Sequence, residues 1–141
     1  MSGVTIYRSV AQVAEIPMLG YFEGWPKHPD ETTHRRILAD SYAVSPAVDN
    51  NRVVGFANAI SDGHLSAHLP LLEVLEDWRR QGIAKNLIRD LLKQLDGLYM
   101  VDLCCDEELE QFYQGVDFTA DGPNRKLRGM VRRDRTAQSG I

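Results

Sequence analysis

The alternation of apolar and polar positions is clearest between residues 82 and 95. Ile83, Leu87, Ile88, Leu91, Leu92 and Leu95 share one stripe, while Lys85, Arg89, Asp90 and Lys93 point elsewhere. That spacing predicts an amphipathic helix, and Asp96-Gly97 is a good stop for it. LYMVDLCC, residues 98–105, is a continuous apolar run, as expected of a strand buried on both faces. Between 42 and 75 the pattern is β-like. Residues 42–48 lead into the turn signal DNNR and then VVGFANAIS. Asp62-Gly63 predicts a two-residue hairpin. LSAHLPLLEVL, residues 65–75, reads as one long strand with Pro70 inside it. Proline cannot donate to a ladder, so that position should be a bulge or an unpaired edge.

The two ends of the chain are less regular. Val4 and Ile6 predict a short first strand, and VAQVAEIPMLGY, residues 10–21, a helix disturbed by Pro17 and Gly20. FEGWPKHPDE follows as an aromatic loop, then a helix over 30–38 with Asp30 or Thr32 as its cap. Asp106 is placed to cap a short helix whose inner side carries Leu109, Phe112, Tyr113 and Val116. Phe118 and LRGMV, residues 127–131, predict closing strands, and the tail beyond them a solvated end. The order is β-α-α-β-β-β-α-β-α-β-β. The strand-helix-strand unit at 65–105 should form a parallel pair with a right-handed crossover. The class is α/β (α+β): a mixed, mostly antiparallel sheet with helices on both faces. One domain is expected over residues 1–133, with 134–141 as a flexible tail.

Composition narrows the partners. The 141 residues suit one core, and 43% hydrophobic with 26% charged residues is ordinary for a soluble globular protein. A net charge of −4 argues against a general nucleic-acid binder. No apolar run approaches the roughly 20 residues that cross a bilayer, and MSGVTIYRSVAQ has no basic segment followed by an apolar one. No membrane association is expected. The two cysteines, Cys104 and Cys105, are adjacent, which implies buried reduced thiols and a cytoplasmic setting rather than a disulfide framework. No metal-ligand spacing is present, so no metal is expected.

The candidate chemistry lies in WRRQGIAKNLI, residues 78–88. A helix N-terminus leaves about four N–H groups without partners and carries roughly half a positive charge. A phosphate satisfies both. Gly82 removes a Cβ where a ligand would approach, Ala84 keeps the next contact small, and Arg79, Arg80 and Lys85 add attraction. A plain loop into an amphipathic helix is the competing reading. There is neither a GxxxxGK[ST] nor a GxGxxG pattern, so nucleotide P-loop and dinucleotide readings are unsupported.

Two segments carry a family resemblance. Arg79, Gly82 and Ala84 fill a Q/R-x-x-G-x-G/A loop, and Asp106, Leu109, Phe112, Tyr113 and Phe118 match a later N-x-x-A-x-x-hydrophobic-Tyr signature with its Gly-Phe. Together with the strand order these resemble the GNAT superfamily of N-acetyltransferases. Asp106, Leu109 and Asp117 stand where the family usually has Asn, Ala and Gly. Asp tolerates left-handed backbone, so the turn before Phe118 should survive.

The resemblance implies acetyl-CoA as co-substrate, lying between two splayed parallel strands at 69–75 and 98–104. It implies backbone contacts from Val74 and Leu75 to the pantetheine. The pyrophosphate would lie over Arg79, Arg80, Gln81, Gly82, Ile83, Ala84 and Lys85, with Asp106 and Phe112 also near the coenzyme. Tyr113 would be the general acid of a direct acetyl transfer to a primary amine of a small molecule or peptide. Glu73 is the candidate base, His68 the alternative and Glu23 in the aromatic loop a third; simple strand alternation puts Glu73 and His68 on opposite faces unless Pro70 causes a bulge. Tyr21, Phe22, Glu23 and Trp25 would form an acceptor pocket, or else a hydrophobic plug over the sheet. Members are often dimers, so a homodimer is among the expectations. A CoA-binding regulatory domain without catalysis is the alternative function.

Overall fold

A computed structural model describes residues 3–121 and 127–133. Its centre is β4 (Arg52–Ser61), where Val53, Val54, Phe56, Ala57 and Ala59 are all buried. On one side lie β3 (Ala47–Asp49) and then β1 (Thr5–Ile6), while β2 (Ala43–Val44) pairs with the far end of β4. The turn into β4 is a two-residue hairpin with Asn50 and Asn51 at φ 51 and 56. This is the left-handed pair that asparagine tolerates and that strand twist favours.

On the other side, β5 (Ser66–His68) and β6 (Leu72–Val74) both pair antiparallel with β4. Next comes β7 (Met100–Asp106), parallel to β5, then β9 (Leu127–Arg133) and β8 (Thr119–Asp121), both antiparallel. The sheet is thus mixed and mostly antiparallel, with one parallel pair.

Helices cover both faces. α2 (Ile83–Gln94) buries Ile83, Leu87, Ile88 and Leu91 against Val54, Ala57, Val101 and Leu103. α3 (Glu110–Gln114) adds Tyr113 to that layer, with Val116 and Phe118 following. α1 (Glu31–Ala39) closes the opposite face over Phe56 and Val53 with Leu38. Its cap is Asp30, whose carboxylate accepts from the Thr33 N–H at 2.8 Å. Among the described residues no helix is long and apolar enough to cross a membrane.

Five expectations are corrected. Residues 10–21 do not form a helix; only a 3-10 turn at Ala11–Val13 survives. The Pro17 carbonyl accepts from the Val53 N–H at 2.9 Å and Gly20 has φ 92, so the chain runs as a strap that buries Met18, Tyr21 and Phe22. Asp62-Gly63 is not a two-residue turn, because Ser61 and Ala67 are the last paired residues. Side chains supply the bonds of the longer loop: Ser61 Oγ accepts from Gly63 N–H and donates to the Ser66 carbonyl. Residues 65–75 form two strands, not one. The apolar run at 98–105 starts its strand at Met100 and is buried on one face only, with Cys104 exposed on the other. Asp106 makes no side-chain cap; a 3-10 turn, Glu107–Leu109, intervenes before α3. The proposed tail, 134–141, lies outside the described residues.

Candidate active site

The parallel pair opens into a cleft. β5 and β7 are registered from Ser66↔Met100 to His68↔Asp102, and Leu69 N–H closes the ladder on the Asp102 carbonyl at 2.9 Å. Beyond that bond the strands part. Between His68 and Leu72 the chain takes four steps while its partner β4 takes three, from Ile60 to Ala57. The extra residue is a bulge at Leu69, Pro70 and Leu71, placed where proline removes a donor. β6 then follows β4 alone, and β7 follows β9 alone.

Two cavities occupy the gap. The inner one, about 230 Å³, lies between residues 69–72 and Cys104, Cys105 and Asp106, with Ile88, Leu109 and Tyr113 around it. The outer one, about 360 Å³, is lined by Val74, Trp78, Arg79, Arg80, Gly82, Ile83, Ala84, Lys85 and Phe112.

The hydrogen-bond phase of β6 decides which backbone groups face the gap. Leu75 N–H donates to the Val54 carbonyl at 2.9 Å, and the Leu71 carbonyl accepts from Asn58 N–H. Alternation then points the N–H groups of Leu72 and Val74 toward the cleft. Leu75 N–H, expected from the sequence to face the cleft with Val74, is thus taken up by the sheet, and the N–H of Leu72 faces the cleft beside that of Val74. The Val74 carbonyl is closed off by the Nε of Arg79 at 2.8 Å.

The turn that follows is left-handed twice, with Arg80 at φ 62 and Gly82 at φ 82. Gly82 is the N-cap of α2 and no side chain caps the helix, so the first-turn N–H groups face the outer cavity without a partner among the described residues. Gln81 turns away and reaches the Asp77 carbonyl at 3.4 Å, while Arg80 and Lys85 line the cavity. Trp78 walls the same cavity and is held by Asp49, which accepts from Nε1 at 2.9 Å. Sequence reasoning missed Trp78 as a site residue, although it opens the stretch that signalled the turn.

Tyr113 lines the inner cavity from α3, and burial pushes its phenol up to about 12. On the opposite face of the sheet lie the carboxylate and imidazole. Glu73 is half-buried; burial raises its carboxyl, against the lowering effect of the Phe22 N–H, which it accepts at 3.2 Å, and of Arg79. His68 is paired with Asp102, Nδ1 to Oδ1, at 2.6 Å. Tyr21 and Phe22 are buried in an aromatic cluster with His34 and Phe56, and the Tyr21 hydroxyl donates to the Val53 carbonyl at 2.7 Å. Burial raises that phenol beyond any useful range. Trp25 and Glu23 are exposed at the tip of the loop.

A family profile described as an acetyltransferase (GNAT) domain matches residues 13–132. The chain belongs to the GNAT acetyltransferase family.

An acetyltransferase-assigned chain of Deinococcus radiodurans R1 is 36% identical over 86% of each chain, with a TM-score of 0.78. The uncharacterized N-acetyltransferase ycf52 of Gracilaria tenuistipitata var. liui is 24% identical across 82% of this chain, which spans 66% of that relative's length. A GNAT family acetyltransferase of Elizabethkingia anophelis, solved with acetyl-CoA bound, shares the fold at a TM-score of 0.64 and 12% identity, covering 94% and 99% of the two chains.

Within this GNAT domain Asp117, in place of the usual glycine, takes φ 75, so the turn before Phe118 is kept. Val74, Arg79, Arg80, Gly82, Ile83, Ala84, Lys85 and Phe112 gather at the outer cavity, and Asp106 and Tyr113 at the inner one. Gln81 and Leu75 line neither. Among the described residues no cluster of metal-ligating groups is present.

Proposed function

We propose that this GNAT domain transfers the acetyl group of acetyl-CoA directly to a primary amine of a small molecule or peptide. The observation that carries the reading is the continuity of the cleft. An unpaired β6 edge, a gap holding two cavities and a turn of N–H groups without partners among the described residues follow one another, in the order that thioester, pantetheine and pyrophosphate require. The acetyl-CoA-bound relative of the same fold supports the choice of coenzyme.

When bound, acetyl-CoA supplies an electrophilic thioester carbonyl. The first-turn N–H groups of α2, with Arg80 and Lys85, hold the pyrophosphate. Leu72 and Val74 offer N–H groups to the pantetheine, as an added strand would receive them. A backbone N–H near Val74 is the donor proposed for the oxygen that becomes charged as the amine attacks. Tyr113 keeps its proton at neutral pH and gives it to the departing thiolate. The exposed Trp25 and Glu23 supply the acceptor's entrance, while Tyr21 and Phe22 hold the loop that presents them.

An amine and peptide panel assayed for acetyl-CoA-dependent thiol release tests the proposal, with transfer to at least one amine expected. Stabilisation by acetyl-CoA in a thermal-shift assay without release on any acceptor would favour a non-catalytic CoA-binding domain. No stabilisation and no release would remove both readings.

A further inference from the structure

We infer that His68 takes the proton from the acceptor's ammonium at Nε2, and that Asp102 is the residue that positions it. The inference rests on the acetyl-transfer reading above.

Place is the first argument. His68↔Asp102 is the last registered pair before β5 and β7 part. The two residues therefore stand at the apex of the cleft, where Leu69, next to His68, and Cys104, two residues beyond Asp102, line the inner cavity. α2 and α3 cover the other face of the sheet, so an amine must approach the apex from the face that carries these two groups.

The bulge supplies the second argument. His68 is opposite Ile60 and Glu73 is opposite Phe56, and residues four apart on one strand share a face. His68 and Glu73 thus lie on the same face, which simple alternation would forbid. They differ in availability. Glu73 accepts the Phe22 N–H and lies under the aromatic strap. His68 and Asp102 keep 47% and 45% of their side chains exposed. The Glu73 carboxylate is occupied in tying down the loop.

Hydrogen bonding is the third. With Asp102 as acceptor, the 2.6 Å contact assigns the imidazole proton to Nδ1 and leaves the Nε2 lone pair to take a proton. Among the described residues, the other titratable or charged groups on this part of the sheet are Cys104 and Asp106 on β7, Glu73 on β6 and Arg133 on β9; β4 contributes the apolar Ile60 opposite His68.

The protons balance. His68 removes one proton from R–NH3+, and Asp102 stabilises the imidazolium. The neutral amine forms the N–C bond as the C–S bond breaks, and the thiolate takes the Tyr113 proton. A second amine proton restores Tyr113, and His68 releases the first to solvent.

The test is kcat/KM against pH on the amine found by the panel, with acetyl-CoA affinity measured in parallel. Wild type is expected to show an ascending limb, because a base must be free of its proton to take one from the ammonium. His68→Gln should lower kcat/KM by about 100-fold or more and abolish the limb, with acetyl-CoA affinity unchanged. Asp102→Asn should lower kcat about tenfold and displace the limb, because an amide no longer enforces the Nδ1–H tautomer. Glu73→Gln should keep the limb.

A limb that persists in His68→Gln, or that disappears in Glu73→Gln, overturns the assignment. Nitrogen NMR of the unmodified protein gives a readout independent of turnover: Nδ1–H is expected for His68, and Nε2–H would overturn the pairing. A wild type that acetylates no amine removes the transfer reading itself, whereas turnover with an unchanged limb in His68→Gln removes only the pair.

Discussion

Arg79 donates its Nε–H to the carbonyl of Val74 at 2.8 Å, joining the end of β6 to the turn that opens α2. The arginine of the loop signature is thus a tie as well as a charge. Without it the last carbonyl of the cleft edge is released and the left-handed turn at Arg80 loses a support. Arg79→Ala should weaken acetyl-CoA binding severalfold, about 1 kcal/mol for one such bond at the surface. Isothermal titration calorimetry checks this, and equal affinities would reduce the tie to a crossing of side chains.

Gly82 answers to conformation rather than to protein crowding. A Cβ there would meet no protein atom within 4 Å, yet φ is +82°. Left-handed backbone costs a side chain about 1–2 kcal/mol, least for Asn. Gly82→Val should weaken acetyl-CoA binding about tenfold or more, and Gly82→Asn distinctly less, with far-UV circular dichroism unchanged in both. Undiminished affinity in the valine variant would take the turn out of the binding site.

Tyr113→Phe should retain acetyl-CoA affinity and lower kcat by about 100-fold, the ordinary yield of a positioned acid. With the phenol pushed up to about 12, its deprotonation should not cut the rate at pH 8–10. Any alkaline fall in that range should therefore persist in the phenylalanine variant. Turnover equal to wild type would leave Tyr113 as a core aromatic.

His34 gives the fold an acid-sensitive point. It is buried among Tyr21, Phe22 and Phe56, its Nε2 has no hydrogen-bond partner among the described residues, and burial, helped by Arg35, lowers it from 6.5 to about 4. The folded state therefore binds the proton less well than the unfolded chain. Its stabilising share is complete above pH 6.5 and is lost as pH falls toward 4. Thermal unfolding midpoints should drop across that window, and His34→Phe should flatten the drop. A parallel decline in both proteins would trace acid sensitivity to other groups.

Local sequence was enough for the elements whose signals are short-range. The apolar stripe of α2, the Asp30 cap and the glycine before the helix each depend on neighbours within a turn or two. The composite of turn, later tyrosine and strand order also identified the family. Pro70 announced a break in its strand for the plain reason that it lacks an N–H.

Tertiary structure decided what depends on partners far along the chain. The strap at 10–22 gave up its helical pattern because Val53 takes the Pro17 carbonyl and the sheet needs its aromatic cover. Leu72 rather than Leu75 faces the cleft because β4 sets the hydrogen-bond phase of β6. His68 shares a face with Glu73 because one extra residue reverses the alternation, and it meets Asp102 only through a parallel register that no local pattern encodes. The sequence by itself determined which chemistry was present. The three-dimensional register determined which groups were left to perform it, because pairing consumes donors and acceptors and only the remainder can reach a substrate.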